Sequence, residues 1–251
     1  MHVRFLGGGG VPVVLLHSQV VAGQLWDPIA VGLARERLVV VPDRIGFGYS
    51  DAATRRFSFA DYADATADAL DVLGIEFCDL IGFHSGSIEA IEFATAHSAR
   101  VRRVAALLLA VFTESEVREL GAFHATPAPT PQADGSHLGW YWNRWRDEYP
   151  ECEDASIIHG WVVDHLVCGD RYHETFLAAL EYPMAEKLPH VRQPLLLLAL
   201  HDALLEQMRR AIPLLPSHAV VVDMPQITSG MSTFATYGAD VLPHLQNFLS
   251  D

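Results

Sequence analysis

The chain has 251 residues, half of them hydrophobic, and its 17 basic against 31 acidic side chains give a formal net charge of −14. This length suits one large α/β domain with an insertion and is short for two independent domains. So acidic a surface repels phosphate groups, which excludes a nucleic-acid partner and argues against attachment to a membrane.

The cysteines and the N-terminus indicate the cellular setting. Cys78, Cys152 and Cys168 are few, odd in number and without C-x-x-C spacing, so they predict neither a disulfide framework nor a zinc site. The first residues lack a long apolar segment with a cleavage site, and the apolar run 11–16 is too short to span a bilayer. We therefore expect a reduced, cytoplasmic setting.

Six short apolar runs predict the strands of a sheet. They lack polar alternation, which is typical of parallel strands covered by helices on both faces. Helical segments separate them, beginning with 24–35 and 58–73 and ending with 235–249. The alternation predicts an α/β fold with a doubly wound, mostly parallel sheet. The predicted strands are 11–16, 38–41, 79–83, 104–109, 194–198 and 219–223.

The alternation stops between 111 and 189. This stretch begins with a proline-rich segment and continues with an aromatic cluster that contains Trp140, Trp142 and Trp145. A long insertion between two strands is commonly a lid over a functional site. We expect a helical cap at 113–189 on a core of 1–112 and 190–251. The three tryptophans are candidates for the wall of an apolar pocket, although ordinary packing within the cap explains them equally well.

Four short motifs follow one another along the chain. They are His17-Ser18 after the first strand, Asp-Arg-Ile-Gly-Phe-Gly-Tyr-Ser at 43–50, Gly-Phe-His-Ser-Gly at 82–86, and Leu-Ala-Leu-His-Asp at 198–202. With this order and spacing the chain resembles the α/β-hydrolase superfamily over nearly its whole length. The resemblance implies that family's fold, with the N-terminal strands of its larger members missing or reduced.

The third motif resembles the nucleophile elbow of the family, G-x-S-x-G, which turns sharply from a strand into a helix. The residues two places before and after the nucleophile must be small, because bulk there would clash. With His84 at the apex, Gly82 and Gly86 satisfy this demand, whereas Ser85 at the apex would put Phe83 in a small position. We therefore favour His84. A subgroup of the superfamily has a similar Gly-x-His-Thr-Gly elbow.

The resemblance also locates the other catalytic groups. The family usually carries its catalytic histidine after the last strand, but the matching segment here, 225–230, has Ser229 at that position. Asp202 follows the fifth predicted strand, where the triad carboxylate usually lies, and Glu114 is a less favoured substitute. The resemblance therefore implies an altered site of His84, Ser229 and Asp202.

These residues indicate acid–base chemistry. An imidazole has a reference pKa of about 6.5, so His84 can act as a base toward Ser229 or water near neutral pH. Direct attack by His84 through an acyl-imidazole is a less favoured route. In this arrangement Asp202 is expected to lie closer to Ser229 than usual and to orient His84 poorly.

An oxyanion hole is implied by the resemblance as well. Its backbone N–H donors would come from Ser85 and from the turn at Ser18 and Gln19. Such donors do not depend on the identity of the nucleophile. They can stabilise negative charge in hydrolysis and in other reactions alike.

Three functions therefore stay open. The favoured one is hydrolysis of a small, largely apolar ester, thioester or lactone. The second is a non-hydrolytic acid–base enzyme, such as a lyase, decarboxylase, cyclase or isomerase, in which His84 acts beside the same donors. The third is an inactive ligand-binding receptor or pseudoenzyme. In each case we expect a small apolar molecule as partner. We expect no cofactor, since no nucleotide-binding motif is present, and no metal, since His159, His165 and His173 in the cap lack the spacing of a helical metal motif.

Overall fold

The computed structural model of the protein describes residues 1–150, 152–228 and 233–250, except for the side chains at 170 and 233–237. Within these residues seven strands form one sheet in the order β1-β3-β2-β4-β5-β6-β7. The strands are β1 (Val3–Leu6), β2 (Val13–Leu16), β3 (Val39–Pro42), β4 (Cys78–Phe83), β5 (Val101–Leu107), β6 (Leu195–Leu200) and β7 (Val220–Met224).

The sheet is parallel apart from one edge. Every neighbouring pair is parallel except β1 and β3, which pair antiparallel from Val3 opposite Pro42 to Leu6 opposite Val39. Strands β2, β3, β4 and β6 are buried along their whole length, as the continuous apolar runs predicted. Strand β1 was not predicted, because it is short, partly exposed and interrupted by Arg4.

Helices cover both faces of this sheet. Ile29 and Val241 belong to the apolar cluster on one face, and Phe59 and Phe93 belong to the cluster on the other. No helix in the described ranges is both long and apolar enough to cross a membrane. The α-helices are α1 (Asp27–Leu33), α2 (Phe59–Val72), α3 (Ser85–Ala96), α4 (Glu114–His124), α5 (Leu138–Glu148), α6 (Ala155–Cys168), α7 (Tyr172–Glu181), α8 (Met184–Lys187), α9 (Leu205–Ala211) and α10 (Thr233–Ser250).

Helices α4 to α8 all lie between β5 and β6, where the strand–helix alternation was predicted to stop. We call them the helical insertion. Helix α5 carries the aromatic cluster, and its Trp145 packs against Trp161 of α6 with ring centroids 5.5 Å apart and the ring planes tilted by 52°. This burial of aromatic side chains gives the insertion an apolar interior that is continuous with the cluster on one face of the sheet.

A buried ion-pair cluster ties the last helix to the sheet. Asp79 of β4 is fully buried and lies 3.2 Å from Arg37 Nη1 and 2.6 Å from Arg102 Nη2. Both arginines also donate to the carbonyl of Leu249 near the end of α10, at 3.2 Å and 2.9 Å. One carboxylate therefore holds two cations and, through them, the C-terminal helix.

We predict that Asp79→Ala lowers the free energy of unfolding by about 3–5 kcal/mol, because it leaves two arginines without their buried counter-ion. The exposed Asp71 pairs with Arg100 at 2.7 Å and provides the matched control. Asp71→Ala should cost less than about 1 kcal/mol, as surface ion pairs do. Urea unfolding of both variants measures the difference, and equal losses would contradict this reading of the cluster.

A second polar contact joins the helical insertion to the core. Asp164 of α6 accepts hydrogen bonds from the Gln24 side chain and, at 3.4 Å, from the backbone N–H of Ala22. Its side chain is buried, and this burial raises its pKa to about 6, with a further contribution from the nearby charge of Asp43. The carboxyl group therefore titrates in a range where a free aspartate is already ionised.

The raised pKa predicts a pH dependence of stability. Between about pH 4 and pH 6 the folded protein keeps a proton on Asp164 that the unfolded chain has lost, so this group's contribution to stability declines as pH rises. Asp164→Asn cannot ionise. Its free energy of unfolding, relative to wild type, should therefore rise by about 1–3 kcal/mol from about pH 4.5 to pH 7.5.

Denaturant unfolding at the two pH values tests this prediction. Asp147→Asn is the control, because Asp147 is an exposed carboxylate of α5 in the same helical insertion. Its difference from wild type should stay constant with pH. If the difference in free energy of unfolding between Asp164→Asn and wild type is also constant, then Asp164 does not titrate between about pH 4 and pH 6 in the folded protein.

Candidate active site

His84 forms the turn between β4 and α3. Its backbone has φ 49° and ψ −115°, a conformation that residues with a side chain rarely adopt. The His84 N–H donates to the carbonyl of Leu107 on β5 at 3.0 Å, and the His84 carbonyl accepts from the N–H of Ser87 at 2.9 Å. Ser85 already begins the helix. His84, and not Ser85, therefore occupies the strained position.

The two glycines of the motif are required by close backbone packing. A Cβ atom on Gly82 would lie 2.3 Å from the carbonyl oxygen of Gly86, and one on Gly86 would lie 1.9 Å from that of Leu16. Neither backbone oxygen can swing aside as a flexible side chain could. The steric demand for small residues at both positions, from which we chose His84, is confirmed.

Asp202 meets His84 across the carboxyl ends of the strands. Its Oδ2 lies 3.0 Å from His84 Nε2, at ion-pair distance although the N–H is not aligned as a hydrogen bond. Both side chains are largely buried, 12% and 4% exposed, and Asp202 Oδ1 accepts from the Leu204 N–H at 2.8 Å. Asp202 therefore contacts His84 directly but without an aligned hydrogen bond, which does not contradict the poor orientation of His84 that we expected.

Of the two other predicted acid–base residues, the one that the structure describes is not brought to this pair. Glu114, the less favoured substitute for Asp202, is almost fully exposed at the start of α4 and lies 3.8 Å from Arg118. Ser229 lies outside the described residues, so its hydrogen bond with His84 stays a prediction.

Arg44 connects the two segments predicted to supply oxyanion donors. This buried guanidinium donates to the carbonyl of His17 at 3.0 Å, to the Ser85 hydroxyl at 3.3 Å and to the Glu89 carboxylate at 2.8 Å. Neither Arg44 nor Glu89 was among the predicted site residues. Glu89 could have been found as an acidic residue among the apolar residues of α3, since a buried carboxylate needs a cation.

His17 has a structural role beside Arg44. Burial, followed by the charge of Arg44, lowers the pKa of His17 to about 3, so the ring is neutral. Its Nδ1 bonds to the Ser18 carbonyl at 2.7 Å as the donor, and its Nε2 accepts from the Arg44 backbone N–H at 2.9 Å. This neutral ring fixes the turn that leads into Ser18 and Gln19.

A cavity of about 420 Å³ opens beside His84 and Asp202. Ser18 and Gln19 also line it, so the predicted catalytic pair and the predicted oxyanion segment share one space. The helical insertion supplies much of the remaining wall. Its apolar contributions include Leu120, Phe123, Trp145, Tyr149, Phe176 and Leu180.

The three tryptophans predicted to bind substrate lie in different places. Trp145 lines the cavity. Trp140 instead packs against Tyr141 and Tyr172, with centroids 5.1 Å and 6.4 Å away, and Trp142 is exposed. Trp140 differs from Trp145 because residues five places apart on a helix point in different directions. This spacing does not explain the exposure of Trp142, which lies three places from Trp145. Glu148, which was not predicted, shares the cavity wall with Trp145.

Comparison with known proteins agrees with this fold. The family model for the alpha/beta hydrolase fold matches residues 11–156, which is more than half of the chain. The protein belongs to this family.

Curated relatives match a shorter segment. A 2-hydroxymuconate semialdehyde hydrolase from Pseudomonas sp. (strain CF600) is 36% identical over 101 residues, 39% of this chain and 36% of the relative. A 2-hydroxy-6-oxo-2,4-heptadienoate hydrolase from Pseudomonas putida is 33% identical over 101 residues, 39% of this chain and 37% of the relative. The match thus spans little more than a third of the length of these relatives.

Solved structures match over nearly the whole chain. A hydrolase from Pseudomonas aeruginosa PA01 superposes with a TM-score of 0.80 at 16% identity, covering 99% of this chain and 94% of that one. The enol-lactonase from Burkholderia xenovorans LB400 gives 0.79 at 17% identity, covering 100% and 96%. At such low identity these likenesses concern the fold alone.

Because the backbone is closely packed at the turn, a single added methyl group there should strongly reduce the stability of the protein. Gly86→Ala should lower the free energy of unfolding by about 3 kcal/mol or more, because the new Cβ overlaps a backbone oxygen. Gly160, inside α6, has no atom within 4 Å of a built Cβ. Gly160→Ala should therefore stabilise the protein by about 0.5–1 kcal/mol. Thermal and urea unfolding measure both, and a stable Gly86→Ala variant would contradict the packing described.

Proposed function

We propose that this protein hydrolyses a small, largely apolar ester, thioester or lactone, and that the turn at His84 serves as an elbow with histidine in place of serine. The observation that carries the proposal is the contact of His84 with Asp202 at the mouth of a mostly apolar cavity. The curated relatives named as hydrolases support the same class of reaction.

In the proposed reaction His84 acts as the base. It removes a proton from water, or from Ser229 as the sequence suggested, and the oxygen attacks the carbonyl carbon. The neighbouring carboxylate of Asp202 stabilises the imidazolium that forms. His84 then returns the proton to the departing alcohol or thiol. In the Ser229 form of the reaction the acyl group is left on Ser229, and a water molecule activated by His84 in the same way attacks it, releasing the acid and restoring the Ser229 hydroxyl.

The oxyanion donors are proposed to be backbone N–H groups. Ser85 is the first residue of α3, and the first N–H groups of a helix have no partner within it. Gln19 lines the same cavity. The turn before it is held by the hydrogen bond from Arg44 to the His17 carbonyl. Donors fixed before the reaction can stabilise the charge that develops on the carbonyl oxygen. The helical insertion acts in this proposal as the cap that covers the site.

A non-hydrolytic acid–base reaction is the second candidate. The observation that favours it is the same His84–Asp202 contact, because a paired imidazole can move a proton on the substrate without any nucleophile. In that case the oxyanion donors would stabilise an enolate.

Turnover of a panel of short-chain nitrophenyl esters and thioesters tests the proposal. We expect His84→Ala to lower kcat/KM by about 100-fold or more, and Asp202→Asn by about 10-fold or more, because general-base catalysis contributes factors of this order. His201→Gln is the matched control. His201 is adjacent to Asp202 in sequence, but it contacts Asp223 at 2.6 Å instead of lining the cavity.

Ser229→Ala distinguishes the two forms of the mechanism. Loss of turnover comparable to that of His84→Ala would support a serine activated by His84, whereas retained turnover would support attack by water. Wild type that hydrolyses no member of the panel, or activity that survives His84→Ala, would overturn the proposal.

A further inference from the structure

Four residues that line the cavity carry a buried polar atom without a hydrogen-bond partner in the described part of the chain, namely Gln19, His84, Trp145 and Gln207. Two of them, Trp145 and Gln207, lie outside the proposed catalytic and oxyanion groups. Trp145 is 3% exposed, and its Nε1–H has no acceptor. The Oε1 atom of Gln207 is also buried and unpaired, while its Nε2 donates to Glu116 at 2.9 Å. Both residues line the cavity. Because buried polar groups in proteins are nearly always paired, these two atoms indicate a place for polar atoms of a ligand.

Glu148 adds a carboxyl group to the same wall. It lies three residues after Trp145 on α5, and residues with this spacing are neighbours on one helix face. Its side chain is accessible but surrounded by protein, as expected for a group that faces a cavity. Burial raises the pKa of Glu148, against smaller opposing effects of Arg144 and His84. This carboxyl group therefore interacts electrostatically with the proposed catalytic histidine.

The charge at the cavity wall is negative. Glu148 and Asp202 both line it, and no lysine or arginine does so among the described residues. Arg144, the cation that acts on Glu148, does not itself line the cavity: its guanidinium lies 4.8 Å from the Phe123 ring centroid and 3.3 Å from His124 Nδ1. A substrate carboxylate in this space would meet these two like charges with no lysine or arginine among the described lining residues to offset them.

We infer that the cavity selects uncharged substrates that carry a hydroxyl or carboxamide group away from the scissile carbonyl, and that Trp145 and Glu148 recognise this group. A hydroxyl can accept from Trp145 Nε1–H and donate to the Glu148 carboxylate or to Gln207 Oε1. A carboxylate could accept from Trp145 but would be repelled by Glu148. The ester part of this inference rests on the proposed function, whereas the recognition of the polar group does not.

Nitrophenyl esters of equal chain length test the selection. The 6-hydroxyhexanoate and the hexanoate are uncharged, and the adipate monoester carries a terminal carboxylate. For wild type we expect kcat/KM for the adipate monoester to be lower than that for the hydroxyhexanoate by about 10-fold or more, because like charges face each other at a partly buried site.

Two variants assign the effect to its residues. Glu148→Gln should reduce the hydroxyhexanoate-to-adipate ratio of kcat/KM by about 5-fold or more, since the repelling charge is gone. Trp145→Phe should reduce the hydroxyhexanoate-to-hexanoate ratio, since the N–H donor is lost, whereas the smaller ring changes the cavity for both uncharged esters alike. Asp147→Asn removes the same charge from the adjacent, exposed position of α5 and should leave both ratios unchanged.

A binding measurement separates this inference from the proposed function. Calorimetric titration of His84→Ala with hexanamide and with hexanoate needs no turnover. We expect hexanamide to bind at least about 10-fold more tightly than hexanoate. Adding the Glu148→Gln substitution to the His84→Ala variant should reduce this difference in affinity. If no ester is hydrolysed but hexanamide is preferred, the hydrolase proposal fails and the selection stands. Equal binding of the two ligands, or tighter binding of hexanoate, would falsify the selection.

Discussion

The site depends on the close approach of α3 to the strands beside it. Because Gly82 and Gly86 lack side chains, the N-terminus of α3 lies against the backbone of β2 and β4, and the chain must turn within His84. This turn projects His84 at the carboxyl edge of a parallel sheet, where the segments following neighbouring strands meet. Asp202, at the end of β6, is therefore within contact distance although it is far away in sequence.

Electrostatic interactions beneath the turn hold this arrangement. The Arg44–Glu89 pair is buried, with exposed side-chain fractions of 2% and 3%, so neither partner can be removed without leaving an unpaired charge in the core. Its bonds to His17 and Ser85 connect the two segments proposed to donate to an oxyanion. The neutral ring of His17 completes the connection, because a charged one would be repelled by Arg44. Structural and proposed catalytic histidines thus lie at one site in different electrostatic environments.

The helical insertion forms much of the wall of the cavity at that site. The core supplies His84, Asp202 and the proposed backbone donors, whereas the insertion supplies apolar wall together with Trp145 and Glu148. Because one fold supports many functions through the site built on it, we expect the choice of substrate to depend on the side chains that the insertion adds. In this protein the polar groups of the cavity wall are acidic or neutral. This agrees with the uncharged substrates that we infer for the cavity.

The sheet core and the position of His84 in the turn after β4 could be predicted from the sequence alone. Continuous apolar runs mark fully buried parallel strands, and the spacing of Gly82 and Gly86 around His84 reflects local steric demand, so both could be predicted from neighbouring residues. The edge strand β1, the contact of His84 with Asp202, the role of Arg44 and the choice of Trp145 over Trp140 and Trp142 depended on tertiary structure. Each of these is set by which distant segments pack together and which side of a helix they cover, and no local pattern contains that information.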